Sequence, residues 1–425
     1  MGYLSLLRRR RILVLWSAEA CSVFGDRLFT LALTWLAWQR SGAVAMGLVV
    51  VVESVPHIVL GSFGRKVIAR CAVLRRLAVV EFAQIAVVAS LPWLWDRLGL
   101  VGILVVIALL GTADAVTGPA LGSLFPDLVE PPQVRAVTGL MQLTGRMAWI
   151  LGPAAAAGLL LVMPVHALFW VDAATFVVSG AAFAYLGRGQ RLPSVPASAA
   201  AGTDPGAPTV RAVLGGRPVL GGILGLEAVG EACAVVASVG IPIWLTARLD
   251  AGPGAYGLVL SAMGVGSVVG NVVAGNAKSV GVFPGSYCVV WLARGVLLGG
   301  YAFTSGVNSV VVVTALLGVL TPLGSVTLGA EIGLLPLPQR LRLFTVESTA
   351  LHVSGMGGML VLPALVERAP RAAFGWAGLV TVVAAAVVWA VSGSGARGEH
   401  EPAMAGAVEG GDVDAPLDDE AVARE

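Results

Sequence analysis

The sequence predicts an all-α membrane protein of twelve transmembrane helices arranged as two six-helix lobes. Three observations carry that reading. Of 425 residues, 57% are hydrophobic and only 12% are charged, about half the roughly 25% of a soluble domain. Apolar stretches recur at lengths near the roughly 20 residues that cross a bilayer. Basic residues collect in alternate connections. A soluble enzyme with so little charge would expose large sticky patches, so that class is excluded first.

The apolar stretches run at roughly 12–38, 43–64, 77–95, 99–124, 136–163, 166–187, 219–247, 255–276, 284–304, 308–334, 343–365 and 372–392. The longer ones can tilt to fit. Pro56, Pro119, Pro153, Pro242, Pro322 and Pro363 lie inside them. In a membrane bundle neighbouring helices satisfy the carbonyls that proline frees, so these residues mark kinks. The start, Arg8 to Arg11 followed by Ile12-Leu13-Val14, has features of a secretory or twin-arginine signal. The apolar run continues to Trp38 with no small-residue cleavage site, so it is read as the first span.

With both termini inside, the inner connections hold 17 basic residues, among them Arg8 to Arg11, Arg65, Lys66, Arg70, Arg75, Arg76, Arg135, Arg188, Arg340 and Arg342. The outer ones hold five: Arg40, Arg97, Arg248, Arg368 and Arg371. This is the positive-inside bias, and it places both termini in the cytoplasm of a multi-pass plasma-membrane protein.

A first lobe is expected over 1–187, a cytoplasmic linker over 188–218, a second lobe over 219–392, and a disordered acidic cytoplasmic tail over 393–425. The halves echo each other. Ala45-Met46-Gly47-Leu48 opens the second span and Ala255-Tyr256-Gly257-Leu258 the eighth; Pro132-Gln133 precedes the fifth and Pro338-Gln339 the eleventh. A parallel duplication of six helices is the arrangement of two-lobed secondary transporters.

No phosphate-binding loop, H-E-x-x-H or G-x-S-x-G is present. Four scattered histidines and four separated cysteines suggest neither a metal nor a disulfide framework. No enzyme activity, cofactor, metal or nucleic-acid partner is expected. An ion gradient is the energy source left to such a chain.

Ionisable groups inside the spans are the informative residues, because each costs at least about 2.5–3.5 kcal/mol at mid-bilayer. The first span has Glu19 and the adjacent Asp26 and Arg27. The second has Glu53 and His57 one turn apart on one face, suited to relaying a proton. Asp114 lies in the fourth span, Arg146 in the fifth, Glu227 and Glu231 in the seventh, Arg294 in the ninth, and Glu347 and His352 in the eleventh. Asp26, Glu53, Glu231 and Asp114 are the expected proton-coupling carboxylates, with Arg27 and Arg146 as counter-charges. Trp149, Trp244, Trp291 and His57 are expected to wall a substrate cavity. Glu81, Asp172, Glu331 and Glu347 are placed near helix ends, where snorkelling or hydration suffices.

Gly61-Ser62-Phe63-Gly64-Arg65-Lys66, with Arg70, resembles the cytoplasmic signature of the major facilitator superfamily. Gly61, Lys66 and Arg70 agree with that signature, while its aspartate falls on Arg65, which leaves the family's inner latch without its acid. The stretch from Gly145 to Pro153, ending in Gly152-Pro153, resembles the antiporter signature of the same superfamily. Phe24-Gly25-Asp26, Pro119-Ala120, Pro126-Asp127-Leu128-Val129 and Arg135-Ala136 resemble its macrolide-efflux and enterobactin-exporter branch. The branch is of the drug:proton antiporter type, but no substrate is carried over from the resemblance. The expectation is a monomeric secondary transporter that exports a small amphipathic molecule in exchange for protons across the bilayer. A proton-coupled importer and a non-transporting membrane sensor are the rival readings.

Overall fold

A computed structural model describes residues 3–188, 218–251, 253–276 and 283–398. Among the described residues all regular structure is helical. The first lobe comprises α1 (Tyr3–Leu7), α2 (Arg10–Phe63), α3 (Arg65–Cys71), α4 (Leu74–Leu98), α5 (Leu100–Leu124), α6 (Val134–Leu160) and α7 (Ala167–Gly187). The second comprises α8 (Pro218–Leu249), α9 (Pro253–Asn276), α10 (Gly285–Gly300), α11 (Val307–Gly333), α12 (Leu337–Arg368) and α13 (Pro370–Gly398). The linker residues 189–217 and tail residues 399–425 lie outside the described residues, and α13 runs past the expected end of the lobe at 392.

Eight of the described helices, α5 and α7 to α13, are long and apolar enough to cross a membrane. The charged helices α4 and α6 and the two arms of α2 complete the twelve spans. Helical hydrogen bonding continues across the expected break between the first two spans, giving one 54-residue element. No proline interrupts residues 39–47 to stop it. The element nonetheless doubles back. Arg27 and His57 both lie within reach of Asp114, whereas a straight helix at 1.5 Å per residue would hold them about 45 Å apart.

Each lobe has two apolar clusters. Phe29, Leu33, Ile103, Phe169 and Phe176 fill one in the first lobe, and Leu15, Leu77, Leu121, Leu140 and Phe183 fill the other. The second lobe repeats the pattern around Trp244, Tyr301 and Phe374, and around Ile223, Tyr287, Trp291 and Leu343. Many other large apolar side chains, such as Val105, Leu109, Val312, Leu316, Val383 and Val387, point outward. On a soluble protein such a surface would aggregate; here it is the lipid-facing wall.

The second lobe is drawn together by glycines. A side-chain carbon on Gly266 or Gly270 of α9 would collide with the carbonyl oxygens of Ala315 and Val319 on α11, and one on Gly318 with that of Met263. Gly378 of α13 backs onto Gly295 and Gly299 of α10 in the same way. In lipid, helices associate through close packing rather than hydrophobic exclusion, so small residues set these seams. Gly270→Leu should therefore force α9 from α11. We expect it to cost about 1–3 kcal/mol or more, read as a lower melting temperature and a smaller monodisperse fraction in detergent.

Candidate functional site

The lobes touch at the end of the bundle that carries α1, α3 and the turns at 125–133 and 334–336. Arg340, at the start of α12, crosses to Asp127 at 2.6 Å and donates to the Gly333 carbonyl at 2.9 Å. From the other lobe, Arg135 donates to Thr327 at 3.2 Å and lies within electrostatic reach of Glu331. The two arginines thus bridge in opposite directions, as the duplicated sequence allows. Beneath them the Tyr3 hydroxyl donates to the Asn271 carbonyl at 2.6 Å, where Gly139 and Gly275 leave room for its ring. Ile68, Val116 and Leu341 form an apolar plug from α3, α5 and α12.

Farther along the helices the contacts become polar. Arg146 of α6 donates to Ser267 at 3.1 Å and Ser325 at 3.0 Å, and Ser325 donates to Gln142 at 2.7 Å. The cross-lobe hydrogen bonds named here all lie in the latched half of their helices. Beyond them, charged side chains of the first lobe are exposed. The Asp114 side chain is 69% exposed in the middle of α5, and Asp26 and Glu53 are exposed as well.

The first-lobe cluster is built by both arms of α2 and by α5. His57 Nε2 lies 3.0 Å from Asp114 Oδ2, and its Nδ1 lies 3.1 Å from the Glu53 carbonyl oxygen. Both ring nitrogens therefore face oxygens. A neutral imidazole with an ionised Asp114 has one N–H for two acceptors. The arrangement is satisfied only when the pair carries one more proton, on the ring or on the carboxyl. His352 of α12 stacks on His57 with centroids 3.7 Å apart and planes 13° apart. Its Nδ1 donates to the Ser348 carbonyl at 2.8 Å, which leaves Nε2 to titrate. A proton-holding pair in one lobe thus lies face to face with a titratable ring of the other.

Arg27 lies 3.6 Å over the ring of Trp149 and within electrostatic reach of Asp26, Glu53 and Asp114. Gly152 permits this approach, since a side-chain carbon there would sit 3.2 Å from Arg27 Cβ. Asp26 in turn lies within reach of Glu19, Glu81 and Asp172.

A second cluster occupies the other lobe. Glu231 of α8 pairs with Arg294 of α10 at 2.8 Å, and Arg294 lies 3.9 Å over the Trp291 ring. Glu227, one turn earlier, is buried within electrostatic reach of Glu347, Glu231 and Arg294. Among the described residues no group of three or more histidines, cysteines or carboxylates could hold a metal ion.

Several sequence expectations need correction. His57 does not relay to the Glu53 carboxylate; it takes only that residue's carbonyl, because its other nitrogen meets Asp114. Arg146 hydrogen-bonds to serines while staying within electrostatic reach of Glu231, whose direct ion-pair partner is Arg294. Trp244 and Trp291 do not wall the open space. Trp244 is buried, donates to Thr304 at 2.9 Å and meets Phe374 edge-on; Trp291 is buried under Arg294. Trp149, 64% exposed, is the one tryptophan of the three that is open. Glu81 and Asp172 do not snorkel: both are buried, Glu81 against Ser179 and Asp172 against Thr175. Lys66 and Arg70 are exposed, while Gly61 lets Thr349 of the opposite lobe press against α2. At this end of the bundle the acid that pairs across the lobes is Asp127, with Arg340. The Pro153 side chain lies outside the described residues.

His352, Asp127, Arg340 and Gln142 were not singled out as site residues. Arg340 directly follows the Pro338-Gln339 echo, which was the signal available for it. The others depend on which faces meet across the lobes.

Arg340→Met should loosen the latched end, because it removes both the ion pair to the exposed Asp127 and the hydrogen bond to the Gly333 carbonyl. In a chain whose native cysteines are replaced, Thr327→Cys should react slowly with a water-soluble maleimide. Adding Arg340→Met should raise that rate about tenfold, the effect of a shift of about 1.4 kcal/mol.

No protein-family profile matches the chain, and no curated protein matches it in sequence. Solved structures do match. Human MFSD10 (TETRAN), described as an organic anion transporter, is 12% identical with a TM-score of 0.69, covering 89% of this chain and 99% of that one. The fucose:proton symporter FucP of E. coli is 13% identical with a TM-score of 0.61, covering 88% and 98%. A bacterial homologue of the iron transporter ferroportin, in an outward-facing state, is 14% identical with a TM-score of 0.67, covering 89% and 97%. FucP is described as a major facilitator superfamily transporter in the outward conformation. At these identities the likeness establishes architecture alone. The chain has the major facilitator fold, twelve spans in two lobes of six.

Proposed function

We propose that the chain is a proton-coupled secondary transporter that exports a small amphipathic molecule carrying positive charge, by alternating access across the plasma membrane. The observation that carries this reading is the Asp114–His57–His352 stack. The stack joins the lobes, is exposed at its Asp114 end while His57 is buried, and is satisfied only with an added proton. Removing that proton leaves one ring lone pair set against an oxygen; adding another places charge on both stacked rings. Either change alters contact between the lobes, so proton occupancy and lobe position are thermodynamically linked.

The expected polarity follows from the arginine-rich end lying in the cytoplasm. With that end latched, the space between the lobes faces outward. Asp26, Glu53 and Asp114 are exposed carboxylates, and Trp149 offers the part of its ring that Arg27 does not cover. This combination suits an amphipathic cation: the carboxylates supply charge and the ring supplies apolar area. Protonating a carboxylate removes its attraction for such a cation, so proton entry and substrate release go together. The Gly152-Pro153 pattern supports the outward direction of substrate movement.

The test uses proteoliposomes loaded with a fluorescent lipophilic cation and energised by a pH gradient. Wild type should transport it and stop when an uncoupler is added. Asp114→Asn should lose gradient-driven transport at least about tenfold while keeping substrate counterflow; unchanged gradient-driven transport would remove the stack from the coupling role. Net accumulation in expressing cells would reverse the direction and favour import. Trp149→Ala should weaken binding of the same cation about fivefold, as expected for loss of a contact of about 1 kcal/mol.

A further inference from the structure

Away from the lobe interface, the start of α2 and the end of α7 enclose a cleft of about 500 Å³ lined by Arg10, Arg11, Val14, Tyr185, Leu186 and Arg188. Three of the six residues are arginines, and none is acidic. Arg10, Arg11 and Arg188 are all exposed, and the salt bridges of the chain engage none of them among the described residues. Bringing three guanidinium groups to one cleft without a counter-charge is unfavourable unless an anion joins them.

The neighbourhood adds positive charge. Arg8 and Arg9 directly precede α2, and its first-turn amides point the positive end of the helix dipole toward the same region. The other wall is apolar. Val14, Leu186 and the ring of Tyr185 line it, and the exposed Leu13 lies next to Val14 in the chain. The cleft sits where the helices end, at the depth at which tyrosine and arginine mark the boundary between hydrocarbon and headgroups. An arginine fork matches a phosphate by paired N–H donors, which suits the three guanidiniums to one phosphodiester.

We propose that this cleft is a binding site for a phosphate group, presented by the headgroup of an anionic lipid whose acyl chain lies along Val14, Leu186 and Tyr185. The site lies in one lobe and is separate from the transport site. Its occupant would tie the first and sixth spans together at the arginine-rich end.

The experiment measures thermal unfolding of the full chain in detergent with added short-chain phosphatidylglycerol, phosphatidylcholine or inorganic phosphate. Phosphatidylglycerol should raise the melting temperature, phosphatidylcholine should not, and Arg10→Ala/Arg11→Ala/Arg188→Ala should bind phosphatidylglycerol at least about tenfold more weakly. Stabilisation by inorganic phosphate equal to that by lipid would assign the site to a soluble anion. An equal response to phosphatidylcholine, or an undiminished response in the triple variant, would overturn the proposal. Native mass spectrometry supplies a second readout that does not depend on stability. The triple variant should retain one fewer phosphatidylglycerol than wild type, whereas Arg97→Ala, at the opposite end, should retain the same number.

Discussion

A charge in hydrocarbon must meet a partner, a dipole or water, and this constraint organises the molecule. The spans carry more ionisable groups than lipid would tolerate, and the fold turns them inward. Glu231 meets Arg294, Arg340 meets Asp127, and His57 meets Asp114. Asp26 and Glu53 instead face open space. The partners come from different helices, and for Arg340 and Arg146 from different lobes. Separating the lobes therefore requires that water replace those partners.

The division of labour along the lobe interface follows from the same constraint. At the latched end, strong short contacts hold the lobes: Arg340 on Asp127, Tyr3 on Asn271 and an apolar plug of Ile68, Val116 and Leu341. Nearer mid-membrane the contacts are hydrogen bonds from Arg146 to Ser267 and Ser325, and from Ser325 to Gln142. At the histidine stack they are contacts whose strength depends on protons. A closure built this way is firm at its base and adjustable at its centre.

Much of the architecture was legible in the sequence because lipid imposes length and polarity on every span. The span count came from apolar stretches, and the doubling from the Pro-Gln echoes. The reversal inside α2 was legible as a gap in the pattern, although helical bonding crosses it. The site was read less completely. Composition marks Asp26, Glu53 and Asp114 as costly, but it does not say which faces them. The expectation for Trp244 failed because an aromatic residue near a helix end fills a core as readily as it lines a space; Thr304 satisfied its indole and Phe374 covered it. His352 was hidden because its role depends on α12 meeting α2 across the lobes, a relation no local spacing encodes.

The glycine seams between α9 and α11 and between α10 and α13 bring backbone against backbone. Such joints have no side chains to rearrange, so they resist sliding. Under the proposed function the second lobe would act as a stiff lever, carrying a change at the histidine stack to its far edge. Flexibility then need not be distributed through the bundle; the proposed cycle would require it only along the line where the halves meet.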